Sequence, residues 1–175
     1  FMGGELGQWI EWNVGAALDW TLLDYPAHRG VQTWVRALNR LYRDEPSLHR
    51  LDFREEGFEW LEVDERDHSI ASWLRWDEEW RDFVLVVANF TPVDRPAWPV
   101  PAPFAGRCRC LLDSDAAAFG GLGRDPVDRV ETRPEPHLGR EQRLVVDLPG
   151  LTMRVFRRDP GQARGSRPRN PARRR

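Results

Sequence analysis

The chain contains no lysine: all 26 basic residues are arginine. That bias reads as genome composition before it reads as function. Cysteine is almost as scarce. Cys108 and Cys110 are the only two, and they sit two apart on an expected strand, which excludes a disulfide-stapled secreted scaffold. No apolar run approaches the roughly 18–20 residues a membrane helix needs, so a helical membrane-spanning protein is excluded. The start lacks the basic stretch and apolar run of a secretory signal, and a cytoplasmic location is expected. His28, His49, His68 and His137 are scattered without the HExxH spacing of a zinc enzyme, and the cysteine pair has no second pair or nearby His. No metal and no organic cofactor are expected. GxSxG, the P-loop and GxGxxG are all missing.

What is present is enough for one domain with a core. The chain has 175 residues, 41% of them apolar and 31% charged, so it is not disordered as a whole. Charge is unevenly placed. The stretch 159–175 holds one acid and six arginines, a net of +5, against −2 for the whole chain, which leaves −7 on residues 1–158. That Pro/Gly-rich tail could neutralise phosphates on a nucleic acid. Without an RNA-binding motif, and on an acidic body, it reads instead as a disordered solvated extension.

Residues 1–25 combine four glycines with three tryptophans and show no sustained period. Phe1 and Met2 read as the end of a buried strand that Gly3-Gly4 break. Residues 26–44 read as a helix. Val31, Trp34, Val35, Leu38, Leu41 and Tyr42 recur at helical spacing, Pro26 suits a first turn, and Pro46 stops the run. From about 52 the texture becomes strand-like: 58–63, 70–76, 83–90, 107–112, 143–148 and 151–156. The run 83–88 is nearly all apolar and is expected to be covered on both faces. Cys108, Cys110 and Leu112 are expected on one face, as are Leu151, Met153 and Val155. Five prolines between 92 and 103 allow only an edge strand around 94–102. The stretch 113–142 is expected to be a long loop. The pattern predicts an antiparallel β-sandwich.

One constellation carries chemistry. Glu5, Gln8, Trp9, Glu11, Trp12 and Asn13, then Asp19 and Trp20, place indole rings beside carboxylates and amides. Rings stack on the C–H faces of a sugar while polar groups bond its hydroxyls. The same residues could simply pack a loop, and the chemistry alone leaves both readings open.

The strings FMGGELGQWIEWN and ALDWTLLDYPAHRGVQTWVRALNRLYR resemble bacterial 1,4-α-glucan (glycogen) branching enzymes of the α-amylase family, just past their catalytic centre. The usual family strings are close to FMGNEFGQ, EWNH, SLDW and HRGVQ. The likeness continues through Gly57–Trp60, Val86–Val93 and Leu112–Asp115, and ends near Leu148–Arg158. Three residues depart from it: Leu6 for Phe, Val14 for His, and Gly150 for Pro.

The resemblance implies a mixed fold. Residues 1–50 would be the remnant of a (β/α)₈ barrel, with its last strand end, a loop and its last helix. Residues 51–158 would be the C-terminal β-sandwich, and 159–175 the disordered basic tail. It implies a glycosyltransferase that passes an α-1,4-glucan segment to a 6-hydroxyl by retaining chemistry with paired carboxylates. The family's catalytic carboxylates lie before its FMGNE string, so the chain itself is expected to hold no catalytic residue and to be inactive alone. Glu5, Gln8, Trp12, Asp19 and Trp20 are the expected substrate-binding residues. The implied partner is α-glucan (glycogen or amylose-like chains), with no nucleic acid and no membrane. The alternative is a non-enzymatic β-sandwich module that only binds glucan.

Overall fold

The computed structural model describes residues 2–80 and 82–159. Its elements are one long helix and eight strands: α1 (Pro26–Asp44), β1 (Phe58–Glu62), β2 (Ile70–Trp76), β3 (Phe83–Asn89), β4 (Arg95–Ala102), β5 (Arg107–Asp113), β6 (Arg129–Glu131), β7 (Gln142–Leu148) and β8 (Met153–Arg158). Six strands form one antiparallel sheet in the order β1-β2-β3-β8-β5-β6, and β4 pairs with β7 in a second sheet. The expected antiparallel sandwich is therefore present, with one helix beside it. No described helix is long and apolar enough to cross a membrane.

The period-2 pattern decides which side chains meet. Ile70, Leu74 and Trp76 of β2, Phe83, Leu85 and Val87 of β3, Cys108 of β5 and Phe156 of β8 point inward. They pack on Val100 and Ala102 of β4 and on Leu144, Val146 and Leu148 of β7. Each fully buried large apolar side chain is worth about 1.5–3 kcal/mol relative to exposure, so this layer supplies the main cohesion. The alternate residues Val84 and Val86, with Val155 of β8, face the other way and meet Leu41, Leu48, Trp73, Leu112 and Met153. Every residue of β3 is buried, as its unbroken apolar run predicts.

Helix α1 has the expected bounds, starting on Pro26 after Tyr25. Its stripe is only partly covered: Val31 and Tyr42 stay exposed, whereas the Trp34 ring meets Phe119 edge-on at 5.1 Å and Leu41 enters the outer cluster. A Cβ on Gly30 would lie 2.4 Å from the Phe119 carbonyl oxygen, so only glycine lets the helix approach that loop so closely. At its far end, Glu45 pairs with Arg157 of β8 at 3.0 Å, and Arg157 also pairs with Asp82 at 2.5 Å. Arg75 of β2 donates to the Leu48 carbonyl at 2.9 Å and to Asp52. Contacts thus cross the expected boundary at 50/51 in several places.

Polar groups fix the turns. The Asn89 side chain donates to the carbonyls of Val93 (2.8 Å), Leu148 and Pro149 (both 3.2 Å), and accepts from the Thr91 N–H and hydroxyl. One buried amide therefore ties the end of β3 to the β7–β8 turn, satisfying groups that would otherwise be costly to bury. Arg154, almost fully enclosed, pairs with Asp113 at 2.9 Å and donates to carbonyls of Asp147, Arg124 and Asp125.

Several expectations need correction. Met2 lies in a turn and is 56% exposed rather than ending a buried strand; Phe1 lies outside the described residues. Leu151 stands in a turn at φ 58° and is exposed, and β8 begins at Met153. A bulge in the β5–β8 register between Cys110 and Leu112 turns Leu112 to the outer face, while Cys108 and Cys110 remain inward. The stretch 113–142 is not one loop. It holds a short 3-10 helix at Ala117–Phe119 and strand β6. Asp159, expected in the tail, donates its N–H to the Arg107 carbonyl and accepts from Arg129. The remainder of the expected disordered tail, 160–175, lies outside the described residues.

Candidate functional site

The expected site residues lie on the segment that wraps the first turns of α1. Gly3 (φ 91°) and Gly7 (φ 62°) bracket a 3-10 turn, Gly4–Leu6, that exposes Glu5 and buries Leu6. Both glycines adopt the left-handed conformation that a side chain disfavours. His28 holds this turn in place. Its Nδ1 donates to the Leu6 carbonyl at 2.8 Å, and its ring meets Trp9 edge-on at 5.0 Å and Tyr25 at 6.1 Å. Buried among aromatics on the first helical turn, this histidine is structural. It continues the Val31–Val35–Leu38 stripe one step toward the N-terminus, and that spacing was its legible signal.

Each expected residue has a definite local role. Gln8 donates its amide to the Met2 carbonyl at 3.2 Å and lies so close over Gly3 that a Cβ there would come within 2.3 Å of it. Asp19 caps the 3-10 helix Trp20–Asp24, accepting from the Thr21 N–H at 3.1 Å and its hydroxyl at 2.5 Å. Trp20 is 59% and Trp12 40% exposed. Glu5 faces the side of α1, sharing a cleft with Gln32, Arg36, Asn39, Arg40 and Arg43. The hydrogen bonds of Gln8 and Asp19 thus go to their own short segments and not to each other. The three tryptophans present faces to solvent, Trp9 most of all at 74%.

Arg29, which carried no role in the sequence, donates to the carbonyls of Leu23 and Asp24 at 2.7 and 2.9 Å and clamps the end of the loop onto α1. Val14, one of the departures from the family strings, is solvent-exposed. Gly150, another, has its Cβ position only 2.4 Å from the Pro92 carbonyl, so this turn has no room for a larger residue.

Elsewhere the titratable groups serve the fold. Burial raises the Cys110 thiol to about 11 and pushes Cys108 further up, so neither is a thiolate at neutral pH. Burial also raises Glu62, which accepts from Trp98 Nε1 at 3.2 Å. Asp115 is pushed up by burial, but the Arg124 guanidinium and the N–H groups of Arg124 and Leu122 outweigh this and hold it low. Among the described residues no three of His, Cys, Asp and Glu gather where a metal could bind.

Residues 60–159 match the family model described as the alpha amylase C-terminal all-beta domain. Among curated proteins, the chain is 48% identical to the 1,4-alpha-glucan branching enzyme GlgB of Cupriavidus necator over 162 residues, covering 92% of this chain and 21% of that protein. It is 45% identical over 157 residues to the protein of that name in Pseudomonas putida, covering 90% and 21%. For Aquifex aeolicus the identity is 42% over 153 residues, covering 87% and 24%. The chain thus spans between a fifth and a quarter of the length of these relatives. The match to the domain model takes in every strand but the first two residues of β1, and the chain belongs to the alpha amylase C-terminal all-beta domain family.

Proposed function

We propose that this chain is the C-terminal part of a cytoplasmic 1,4-α-glucan branching enzyme. The complete protein transfers an α-1,4-glucan segment to a sugar 6-hydroxyl and so creates α-1,6 branches in glycogen. In this reading residues 1–50 are the end of a catalytic barrel and 51–158 the sandwich that follows it. The catalytic carboxylates lie outside the chain, and no metal or organic cofactor takes part. The observation that carries the reading is identity of 42–48% to proteins of that name over roughly nine-tenths of the chain. Identity of that extent reaches well beyond the family-model match, into the loop and helix at 2–44.

The segment Glu5, Gln8, Trp12, Asp19 and Trp20 helps shape the glucan cleft of the complete enzyme. The exposure of Trp12 and Trp20 supports this, because an indole open to solvent can stack on the C–H face of a sugar. Asp19 contributes by rigidifying the turn that presents Trp20. Gln8 does the same for the Gly3–Gly7 turn.

The test is a chimera in which this chain replaces the equivalent C-terminal part of the Cupriavidus necator protein. Incubation with amylose, then debranching and chain-length analysis, is expected to show α-1,6 branch points for the chimera and none for the 175-residue chain alone. A folded chimera that forms no branches, or branching by the isolated chain, would overturn the reading. In the active chimera Trp20→Ala is expected to raise KM for amylose with no change in melting temperature.

A further inference from the structure

We propose that His28 and Arg29, adjacent in the first turn of α1, form a clasp that closes the loop between Leu6 and Leu23 and so sets how tightly the complete enzyme holds its glucan. This deepens the glucan-cleft reading above and rests on it. Both are positioning residues: they act through the loop and do not touch the sugar.

The clasp takes the loop by its two ends. His28 Nδ1 donates to the Leu6 carbonyl at 2.8 Å. Arg29 Nη1 donates to the Leu23 and Asp24 carbonyls at 2.7 and 2.9 Å. Successive side chains on a helix diverge by about 100°, so two neighbours in one turn reach two different parts of the segment. All three carbonyls stand at the ends of 3-10 helices, Gly4–Leu6 and Trp20–Asp24. Carbonyls at a helix end lack an intrahelical donor and take one from elsewhere. Beside these bonds Leu6 and Leu22 are buried, so each end of the loop has an apolar anchor as well. Every group in the clasp lies within residues 6–29, and the clasp travels with this segment into the complete enzyme.

Between the two ends stand Gln8, Trp12, Asp19 and Trp20. Bonds made inside this stretch are short-range. Gly15 N–H donates to Asn13 Oδ1 at 2.9 Å, Ala16 N–H to the Asn13 carbonyl at 3.2 Å, and Thr21 N–H to Asp19 at 3.1 Å. Such bonds shape local turns, whereas the clasp ties the loop to the helix. A loop held at both ends has less conformational freedom to lose when a glucan binds. The clasp therefore favours binding without acting on the reacting bond, and its signature belongs in KM rather than kcat. His28 also meets the Trp9 and Tyr25 rings, at 5.0 and 6.1 Å, so its donor and its ring must be tested separately.

Amylose kinetics in the Cupriavidus necator chimera make the test. His28→Ala and Arg29→Met are each expected to raise KM about fivefold, the scale of one net hydrogen bond. kcat should stay within about twofold. His28→Asn, whose amide nitrogen can donate to the Leu6 carbonyl, is expected to restore most of the loss, and His28→Phe, a ring without that donor, to restore little. In the 175-residue chain, chymotrypsin is expected to cut after Trp9, Trp12 or Trp20 about fivefold faster in His28→Ala and Arg29→Met, with an unchanged melting temperature showing that the sandwich folds. An unmodified chimera that forms no branches overturns the glucan reading; the cleavage rates then decide the clasp, and rates equal to those of the unmodified chain overturn it. In an active chimera, KM unmoved by both substitutions overturns the proposal. So does a fall in kcat at constant KM, or His28→Asn matching His28→Ala.

Discussion

The two faces of the six-stranded sheet come from the same strands, with side chains alternating between them, yet they are covered very differently. The inner face is sealed by β4 and β7, and Leu74, Leu85, Leu144 and Phe156 have at most a trace of exposure. Among the described residues the outer face is covered by the last turns of α1 and the short turn after it, through Leu41 and Leu48. Beside them Leu38, Tyr42, Trp73, Val86, Met153 and Val155 border an open cleft of about 330 Å³. A sheet packed on a sheet closes along its whole length, while a single helix touches along one line. The inner layer therefore carries most of the stability. The outer layer supplies attachment, helped by the Glu45–Arg157–Asp82 bridge and the Gly30–Phe119 approach.

The comparison can be broken most sharply from the inside. Phe156→Ala removes a fully enclosed ring from the inner layer, and is expected to cost about 3–5 kcal/mol in urea unfolding. A cost below about 1 kcal/mol would mean the inner layer is loosely packed. On the outer side, Gly30→Ala forces a Cβ against the Phe119 carbonyl and is expected to cost about 1–3 kcal/mol. Hydrogen exchange should rise first in α1 and the 117–120 loop, with β3 still protected; uniform acceleration would show that helix and sandwich unfold as one unit. Leu41→Ala removes a half-covered side chain with room to relax beside it, and about 1–2 kcal/mol is expected, well under the loss at Phe156.

The smallest effect concerns pH. Burial raises Glu62 above its ordinary value, with the Trp98 hydrogen bond and His68 opposing and Glu65 reinforcing. The folded chain thus holds this proton more tightly than the unfolded one. The associated stability is fully present below the unfolded pKa, near 4.5, and is lost as pH rises through the folded value. Glu62→Gln keeps an acceptor for Trp98 and removes the buried charge. It should raise the melting temperature at pH 7, with the gap closing toward pH 4. A gap of constant size across that range would show that the carboxylate does not titrate as its burial dictates.

Much of this was legible in residue order, for identifiable reasons. Helix α1 was readable because its stripe and its two prolines are local signals. β3 was readable because a strand covered on both faces is apolar along its length, as residues 83–88 are, with Asn89 at its end the one polar residue. Where the sequence misled, a non-local choice had intervened. Leu112 alternates correctly with Cys108 and Cys110, but a one-residue bulge against β8 reverses its side. Leu151 continues the alternation of Met153 and Val155, yet its left-handed backbone places it in the turn. Strand β6 has three residues and exists only because β5 offers an edge. At the candidate site, the residue types were readable from composition, since indoles beside amides and carboxylates are unusual in a loop. Their arrangement was not. Gln8 bonds back to Met2, Asp19 caps Thr21, and Glu5 turns toward α1, each settled by backbone geometry at Gly3, Gly7 and the start of the helix.

By itself the sequence determined the antiparallel strands, the helix and its ends, the exclusion of a disulfide framework, and the family strings. All are properties of neighbouring residues, fixed by short-range sterics, periodicity and chemical type. Tertiary structure alone decided that α1 roofs the outer sheet face, that Gly30 is where it can approach, and that Arg154 and Asn89 are buried with their hydrogen bonds filled. These outcomes depend on which distant groups compete for the same surface, and that competition is settled only when the sheets close.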